Sequence, residues 1–401
     1  MTKYRTSRCL ALGTMLYLAC RIAGAAAAPP SDAPSGLSQT DLFVSGDGAY
    51  HAYRIPALIV SNKGTVLAFV EARRHSTSDI GDIDLLLRRS FDGGRTWQPA
   101  QEIWSEGSDT WGNPTPVVDR TTGTIWLLAC HNRGDERDMT SLFGGTGKGS
   151  RTVWVLKSDD DGQSWSKPVE ITQDVKQPDW AWYATGPGVG IQLRSGRLMI
   201  PCDFRPAHGE GATEAQVRAS SHSHVIYSDD HGSTWKIGGI LGPKFNECQV
   251  VELVDGRLML NMRSFHGLNR RAVALSSDQG LTWRFRSHAE ELIEPVCQAS
   301  FLRYTTAVEQ GRNRLLFSNP ASLTRENMTI RLSYDEGDTW TVAKELHHGP
   351  AAYSCLAVLP DASIGCLYER SVSSAAYGPY ERITFARLSL EWLTAGADSI
   401  R

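Results

Sequence analysis

The sequence predicts an all-β protein, and more narrowly a six-bladed β-propeller, from three observations. One eight-residue phrase, Ser-x-Asp-x-Gly-x-Thr/Ser-Trp, occurs five times at variable intervals of the size of a propeller blade, which is typical of a radial repeat. Short apolar runs are separated by turn pairs such as Ser195-Gly196 and Asp255-Gly256, as in β-hairpins. Outside the first 28 residues and a short segment near 387–394, no stretch keeps a helical apolar period.

The five copies of the phrase cover residues 90–97, 158–165, 228–235, 276–283 and 333–340. Each position suits a tight turn, because Ser and Asp can bond nearby backbone groups, Gly adopts positive φ, and Trp packs under the turn. The sequence before the first copy and after the last leaves room for a sixth blade, which we expect to pair the N- and C-terminal strands. Five or seven blades would require another role for these ends.

The first 28 residues have the pattern of a secretory signal peptide. Basic residues come first, an apolar run follows from Cys9 to Cys20, and small residues close the segment at 23–28. The apolar run is too short for a stable membrane anchor, so we expect no membrane span. A lipoprotein anchor at Cys20 is the alternative, but Tyr17 and Arg21 fit that motif poorly.

The expected organisation is therefore a signal peptide over 1–28, a flexible leader over 29–42 and one catalytic propeller domain over 43–401. The protein would be exported, and thus secreted or periplasmic, or lysosomal in an animal-like host. Two polar, Gly-rich stretches, 132–150 and 204–222, indicate surface loops over one mouth of the propeller.

Charge and cysteine content exclude several classes of function. The formal net charge is −3, and removing the basic leader makes it more negative, which disfavours nucleic acid and anionic membranes as partners. The cysteines after the leader show no CxxC pair, and no histidine cluster has a third ligand at metal spacing, so we expect no metal and no cofactor. Buried free thiols are favoured over a disulfide between Cys355 and Cys366.

Dispersed motifs accompany the repeats. They are Tyr53-Arg54-Ile55-Pro56, Glu71-Ala72-Arg73, Ser76-Thr77-Ser78-Asp79, Asn246-Glu247-Cys248-Gln249, Leu260-Asn261-Met262-Arg263, Thr329-Ile330-Arg331, Gly349-Pro350-Ala351-Ala352-Tyr353-Ser354 and Leu367-Tyr368-Glu369. The repeat resembles the Asp box of sialidases, and the whole set, in its order and spacing, is similar to the exo-α-sialidases, both bacterial secreted and animal lysosomal. The resemblance covers roughly residues 43–392.

The resemblance implies a clamp for the carboxylate that sialic acid carries on its anomeric carbon. Three guanidiniums, those of Arg54, Arg263 and Arg331, would hold it with bidentate, charge-assisted hydrogen bonds, for which a lysine is a poor substitute. Glu369 matches the acid that pairs with the first arginine. Arg73 matches an additional arginine that faces the substrate.

The resemblance also implies the reacting groups. A carboxylate nucleophile would be repelled by the substrate's own carboxylate, and sialidases instead use a tyrosine, whose position Tyr353 fills. Glu247 matches the base that takes the phenol proton, since an unassisted phenol is a weak nucleophile. Asp79 matches the acid/base that protonates the leaving oxygen, with Asp82 as the alternative.

The predicted function is that of a retaining exo-α-sialidase that hydrolyses terminal α-linked sialic acids from glycoproteins, glycolipids and oligosaccharides. Transfer of sialic acid to an acceptor, or hydrolysis of a related 2-keto sugar acid, would use the same core. A non-catalytic Asp-box propeller that binds sialylated glycans is the alternative from another class. Four aromatic residues could line the pocket or pack in the core: Trp111, Trp180, Trp182 and Tyr183.

Overall fold

The computed structural model describes residues 1, 36–136, 142, 149–209, 211–373 and 376–400. One unit spans 34–401 and carries every strand described below, and the other spans 1–33. The signal peptide expected over 1–28 lies outside the described residues, Met1 excepted, as does most of the loop expected over 132–150.

The described residues form 24 strands and four short helices. The helices are α1 (Thr172–Val175), α2 (Glu214–Ala219), α3 (Ala307–Gln310) and α4 (Leu390–Leu393). Helix α4 falls in the segment where the sequence showed a short helical period. None of the described helices has the length and apolar character needed to cross a membrane.

Antiparallel pairing collects the strands into successive groups. The first two groups are β2 (Ala52–Val60), β3 (Val66–Arg73), β4 (Ile83–Ser90) and β5 (Gln101–Trp104), then β6 (Thr110–Val118), β7 (Ile125–Asn132), β8 (Thr152–Ser158) and β9 (Val169–Glu170). The third is β10 (Trp180–Thr185), β11 (Ile191–Gln192), β12 (Leu198–Pro206), β13 (His222–Ser228) and β14 (Lys236–Leu241). The fourth is β15 (Phe245–Glu252), β16 (Leu258–Ser264), β17 (Arg270–Ser276) and β18 (Arg284–Ile293).

The remaining strands share one long member. They are β1 (Leu37–Val44), β19 (Ser300–Thr305), β20 (Arg314–Pro320), β21 (Glu326–Ser333), β22 (Val342–Val358), β23 (Ile364–Arg370) and β24 (Arg382–Leu388). The first part of β22 pairs with β21 and its second part pairs with β23, so this strand ends one group and begins the next. The all-β propeller class is confirmed; the count of six blades, which this grouping favours, stays a prediction.

The N-terminal strand completes the last group. β1 pairs with β24 from Leu37 opposite Leu388 to Val44 opposite Arg382, and this covers an edge that would otherwise expose unpaired backbone groups. Residues 37–42 thus belong to the sheet rather than to the flexible leader expected over 29–42. The physical reason is this pairing, which a search for apolar runs does not detect because Gln39 to Asp41 are polar.

The five repeats occupy equivalent places, each beginning at the last residue of the third strand of a group, where the short strand β11, which pairs only with β12, is not counted. In every copy the Ser hydroxyl donates to the Asp carboxylate and accepts the Gly N–H, while the Asp accepts both the backbone N–H and the hydroxyl of the Thr or Ser. Gly232 shows why glycine is needed: its φ is 89°, and a Cβ would lie 2.2 Å from the Trp126 ring.

Strand direction decides which residues meet at the candidate site. The first strands β2, β6, β10 and β15 are buried along nearly their whole length. Because neighbouring strands are antiparallel, the start of the first strand, the end of the second and the start of the third lie at the same edge of each group. Side chains at these positions from several groups can therefore surround one cleft. The six described cysteines are buried and free, as expected.

We predict that Asp160→Ala lowers the free energy of unfolding by about 1–3 kcal/mol, because Ser158 and Ser164 lose their common acceptor. The catalytic constants of the folded protein should not change. Partial burial raises the pKa of Asp160, but hydrogen bonds from Ser164 and Ser158 outweigh it and lower the pKa to about 2. The stabilisation is thus present above about pH 4 and is lost as the pH falls through 2.

Urea unfolding at pH 7 and pH 2 measures both effects. The control is Asp159→Ala, at the neighbouring residue, whose side chain is 57% exposed and bonds Lys157 and Thr124. A loss of turnover in Asp160→Ala with unchanged stability would contradict the structural role of the repeat.

Candidate active site

A cleft of about 480 Å³ opens at the edge where these strand ends meet. Its walls carry many charged side chains and few apolar ones. Of the residues predicted from the sequence, it is lined by Arg54, Arg73, Asp79, Trp182, Glu247, Arg263 and Tyr353. Among the residues that sequence reasoning did not assign, it is lined by Glu71, Asn113, Arg151, Asp203, Arg205, Asn246, Arg325 and Tyr380.

The Glu369 carboxylate fixes the base of one wall. It is fully buried at the end of β23, where Oε1 accepts Arg54 Nε at 3.2 Å and the backbone N–H of Ile55 at 3.0 Å. Its other oxygen accepts the backbone N–H of Tyr353 at 3.0 Å. Ile55 has a φ of 57°, unusual for a β-branched residue, where β2 is irregular between Arg54 and Ala57. Glu369 thus holds this strained segment and Tyr353 together, beyond its predicted pairing with Arg54.

Three arginines surround Tyr353. The Arg54 guanidinium lies 3.9 Å from the centre of the Tyr380 ring and 5.1 Å from that of Tyr353. Arg263 Nη1 donates to the Tyr353 hydroxyl at 3.2 Å. Arg325 lies 5.5 Å from the centre of the Tyr353 ring and donates to the Tyr380 hydroxyl at 2.6 Å. Clustered cations at the floor of a cleft suit an anionic ligand.

The structure does not bring Arg331, the predicted third arginine, to this cleft. Arg331 pairs with Ala343 in the sheet, and its Nη1 donates to Asn319 at 3.1 Å. Arg325 precedes β21, and its carbonyl accepts the N–H of Ala351, two residues before Tyr353. Arg331 lies within β21, six residues along the chain from Arg325, and it is not among the residues that line the cleft. The sequence signal that could have identified Arg325 is its position directly before the third strand of its group, because third strands begin at the edge where the cleft opens.

Tyr353 and Glu247 form a buried pair. The Tyr353 hydroxyl donates to Glu247 Oε1 at 2.5 Å, and Arg263 Nη1 donates to Glu247 Oε2 at 2.7 Å. Burial raises the pKa of Tyr353 well above its usual value, and the Glu247 carboxylate raises it further, although Arg263 and Arg325 oppose the rise. The phenol therefore keeps its proton at neutral pH, and Glu247 is placed to accept it.

Asp79 lines the same cleft from the loop between β3 and β4, in a different group of strands from Tyr353 and Glu247. It makes ion pairs with Arg73 Nη1 at 2.8 Å and Arg54 Nη1 at 3.2 Å, and its side chain is half exposed. Desolvation raises the pKa of Asp79, but the charges of Arg73 and Arg54 outweigh it and hold the pKa well below its usual value. The alternative residue, Asp82, is outside the cleft lining and pairs with Arg74.

Glu71 and Asn113 hold two arginines of the cleft, Arg73 and Arg151, in position. Glu71 Oε2 accepts Arg73 Nε at 3.0 Å, while its Oε1 accepts the backbone N–H of Asn113 at 2.7 Å. Asn113 in turn accepts Arg151 Nη2 at 2.7 Å. One carboxylate thus connects the end of β3 to the start of β6, much as Glu369 connects β23 to β2.

The far wall contains Trp182 between two arginines. The guanidinium carbons of Arg151 and Arg205 lie 4.1 and 5.7 Å from the centre of its ring. The other three aromatic candidates pack in the core: Trp111 against Trp104 and Trp154, and Trp180 against Tyr183 and Phe204. The polar stretch 204–222 contains α2, which contributes Glu214, Val217 and Arg218 to the cleft.

The fold and cleft together define an Asp-box propeller with a cationic, anion-binding site around a tyrosine–glutamate pair. Residues 64–366 match the family model described as a BNR repeat-like domain. The chain is 32% identical to an exo-alpha-sialidase of Aspergillus fumigatus over 394 residues, which cover 91% of this chain and 90% of that protein. The chain belongs to the sialidase family.

Longer relatives match as well. A sialidase of Micromonospora viridifaciens is 36% identical over 93% of this chain, and one of Bacteroides fragilis is 35% identical over 83%. The chain spans 56% and 62% of the length of these two proteins. The solved structure of Hadza microbial sialidase Hz136 is similar with a TM-score of 0.76 and 36% identity, over 87% of this chain and 68% of that one.

We predict that Glu369→Gln lowers the free energy of unfolding by about 3–5 kcal/mol, because it removes the fully buried counter-charge of Arg54 and leaves only the half-exposed Asp79 to pair with this cation. If the amide oxygen keeps the Arg54 and Ile55 donors, its NH₂ group faces the Tyr353 N–H, donor against donor. Urea unfolding measures the change, with the 89% exposed Glu290, changed to Gln, as control. Equal unfolding midpoints for Glu369→Gln and the unmodified protein would refute this account.

Proposed function

We propose that the chain is a retaining exo-α-sialidase that hydrolyses terminal α-linked sialic acids of glycoproteins, glycolipids and oligosaccharides without a cofactor. The observation that carries the proposal is the 2.5 Å hydrogen bond between Tyr353 and Glu247 within the cluster of Arg54, Arg263 and Arg325. A phenol, a base and three cations in one cleft fit a sugar that carries a carboxylate on its reacting carbon.

In this proposal the three arginines bind the substrate carboxylate. Guanidiniums form paired, charge-assisted hydrogen bonds with carboxylates, and Arg54 Nη2 is buried without an acceptor among the described residues. Arg325 takes the place that the sequence had suggested for Arg331. Glu369 and Tyr380 hold Arg54 in position, so little side-chain freedom is lost when the ligand binds.

The first chemical step forms a glycosyl-tyrosine. Glu247 takes the phenol proton while Tyr353 Oη bonds to the anomeric carbon, and the glycosidic C–O bond breaks. Asp79 gives its proton to the departing oxygen. Asp79 must therefore be protonated in the complex, although Arg73 and Arg54 hold it ionised in the free cleft. A substrate carboxylate on Arg54 neutralises one of these charges and so raises the pKa of Asp79 toward its working range.

The second step releases the sugar. The Asp79 carboxylate takes a proton from water, the water oxygen bonds to the anomeric carbon, and the bond to Tyr353 breaks. Glu247 returns its proton to the phenolate. Two displacements at the same carbon retain the α configuration.

We also propose that residues 1–28 direct export, on the strength of their basic, apolar and small-residue segments. N-terminal sequencing of the exported chain would give the cleavage point, and a chain that keeps these residues would contradict this proposal.

We predict that Arg325→Ala lowers kcat/KM for a fluorogenic sialoside by roughly 10²-fold or more, since each lost charge-assisted hydrogen bond contributes about 1.5–3 kcal/mol. Arg331→Ala is the matched control, because the same change is made within β21, the strand that Arg325 precedes, at a residue that does not line the cleft. Per folded molecule, it should stay within about threefold of the unmodified enzyme. A loss in Arg331→Ala as large as that in Arg325→Ala would return the third position to Arg331.

We predict that a 3-fluorosialyl fluoride labels Tyr353. The fluorine at C3 slows both steps by destabilising the oxocarbenium-like transition state, whereas the fluoride leaving group still permits loading. Mass spectrometry should show one sialyl group on the peptide that contains Tyr353, and NMR should show the α anomer of released sialic acid first. Tyr353→Phe should abolish labelling while ligand binding persists, because it keeps the arginine cluster.

Other outcomes decide between the alternatives. A label on a carboxylate, or the β anomer as first product, would exclude the tyrosine mechanism. Binding of sialosides with no turnover would favour the non-catalytic, glycan-binding propeller. Sialylated acceptor formed in excess over free sialic acid would favour transfer.

A further inference from the structure

One buried carboxyl in the cleft has no role in the chemistry above. Asp203 lies near the end of β12, lines the cleft and is only 1% exposed. Its one side-chain hydrogen bond among the described residues comes from Asn246 Nδ2 at 2.6 Å. Glu247, by contrast, contacts both Tyr353 and Arg263. Burying a carboxyl with a single amide donor is costly, so its presence in the wall calls for a physical reason.

Asp203 contacts the segment that presents Glu247. The pairing of β15 with β16 shifts register between Phe245 and Cys248, and Asn246 and Glu247 both line the cleft. In a regular strand two consecutive side chains would point to opposite faces, so the irregularity is what exposes both to the cleft. It is held from two sides, since the Asn246 amide donates to Asp203 and the Asn246 carbonyl accepts the Ser223 hydroxyl.

The surroundings of Asp203 combine charges of both signs. Burial raises the pKa of Asp203 to about 7; the charge of Arg205 opposes this rise, and the charge of Glu247 adds to it. Directly opposite in the sheet are Ala184 of β10 and Ser223 of β13, which do not titrate. The charged and titratable groups around it are Arg151, Arg205, Glu247, Arg263, Tyr183, Cys130, Cys202 and Cys248.

We propose that Asp203 is a positioning residue for Glu247: through Asn246 it fixes the irregular strand that aims Glu247 at Tyr353, and its ionisation weakens the binding of an anionic substrate. This inference rests on the proposed function. With Asp203 neutral, the arginines that line the cleft outnumber its carboxylates by three, whereas an ionised Asp203 adds a further negative charge to the cleft that receives the substrate carboxylate. In the enzyme–substrate complex the substrate carboxylate keeps Asp203 protonated. Ionisation of Asp203 therefore affects only the free enzyme, so KM should rise with pH while kcat does not change.

Two substitutions separate geometry from charge. Asp203→Asn keeps an oxygen for Asn246 Nδ2 and is neutral at every pH, whereas Asp203→Ala removes both the acceptor and the charge. Between pH 6 and 8 we expect KM of the unmodified enzyme to rise roughly tenfold through Asp203, and KM of Asp203→Asn to rise by less than about twofold. At pH 6 Asp203→Ala should lose about tenfold in kcat, and Asp203→Asn should largely restore it.

The control is Asp229→Asn, the same change at a half-exposed carboxyl that pairs with Arg197 and does not line the cleft, which should reproduce the unmodified pH profile. Superimposable KM profiles for Asp203→Asn and the unmodified enzyme would overturn the inference. So would full kcat in Asp203→Ala at pH 6.

A readout without substrate distinguishes this inference from the proposed function. Since the folded pKa of Asp203 lies above its unfolded value, its stabilising contribution is present below about pH 4 and is lost as the pH rises through 7. The melting temperature of the unmodified protein should therefore fall relative to Asp203→Asn between pH 5 and 8. If this difference appears in a protein without sialidase activity, the function fails while the ionisation of Asp203 stands. If activity is present and the melting difference is absent, the inference fails alone.

Discussion

The buried Glu369 carboxylate is the constraint on which the site depends. It accepts hydrogen bonds from Arg54 Nε and from the backbone N–H groups of Ile55 and Tyr353, which join the ends of three strands. The Arg54 guanidinium compensates for the desolvation of the Glu369 carboxylate, and the two backbone N–H groups supply its other hydrogen bonds. The positive φ of Ile55 persists because these bonds determine it from outside the strand. Tyr353, the proposed nucleophile, and Arg54 are therefore positioned by one group.

The sequence was sufficient for the fold class because the repeat acts locally. The hydrogen bonds that define an Asp box, those among its Ser, Asp, Gly and Thr or Ser, lie within eight residues, so Ser90 to Trp97 form the same turn as each later copy. The pairing of the N- and C-terminal strands was also predictable, because the chain segments outside the five repeats would otherwise leave an unpaired sheet edge. The pairing of β1 was not visible at residues 37–42, since a polar outer strand that pairs on one side carries no apolar period.

The site was predictable where a motif fixed the strand position, and not elsewhere. Arg54, Glu247, Arg263 and Tyr353 lie at strand ends that share one edge, and the motifs place them there. The resemblance implied Arg331, which lies near the end of β21, although the third strand begins rather than ends at the cleft. The same rule of strand direction explains why Arg151 and Asp203 line the cleft. Arg151 directly precedes the third strand β8, and Asp203 lies near the end of β12, which is the second strand when β11 is not counted. Their roles depend on contacts between groups, which spacing along one chain does not encode.

The arginines of the cleft would allow an acidic protein to bind the anionic substrate that we propose. The net charge of the chain is −3, so attraction for an anion must come from local cations rather than from the overall field. Three of the arginines in the cleft are already paired with a carboxylate: Arg54 with Glu369, Arg73 with Glu71, and Arg263 with Glu247. Asp79 differs from these three carboxylates. Its side chain is half exposed, and it pairs with Arg54 and Arg73, which already have Glu369 and Glu71 as partners. The substrate carboxylate can therefore displace Asp79 from the arginines more easily than it can displace Glu369 or Glu71. That displacement would raise the pKa of Asp79 to the range that an acid catalyst requires.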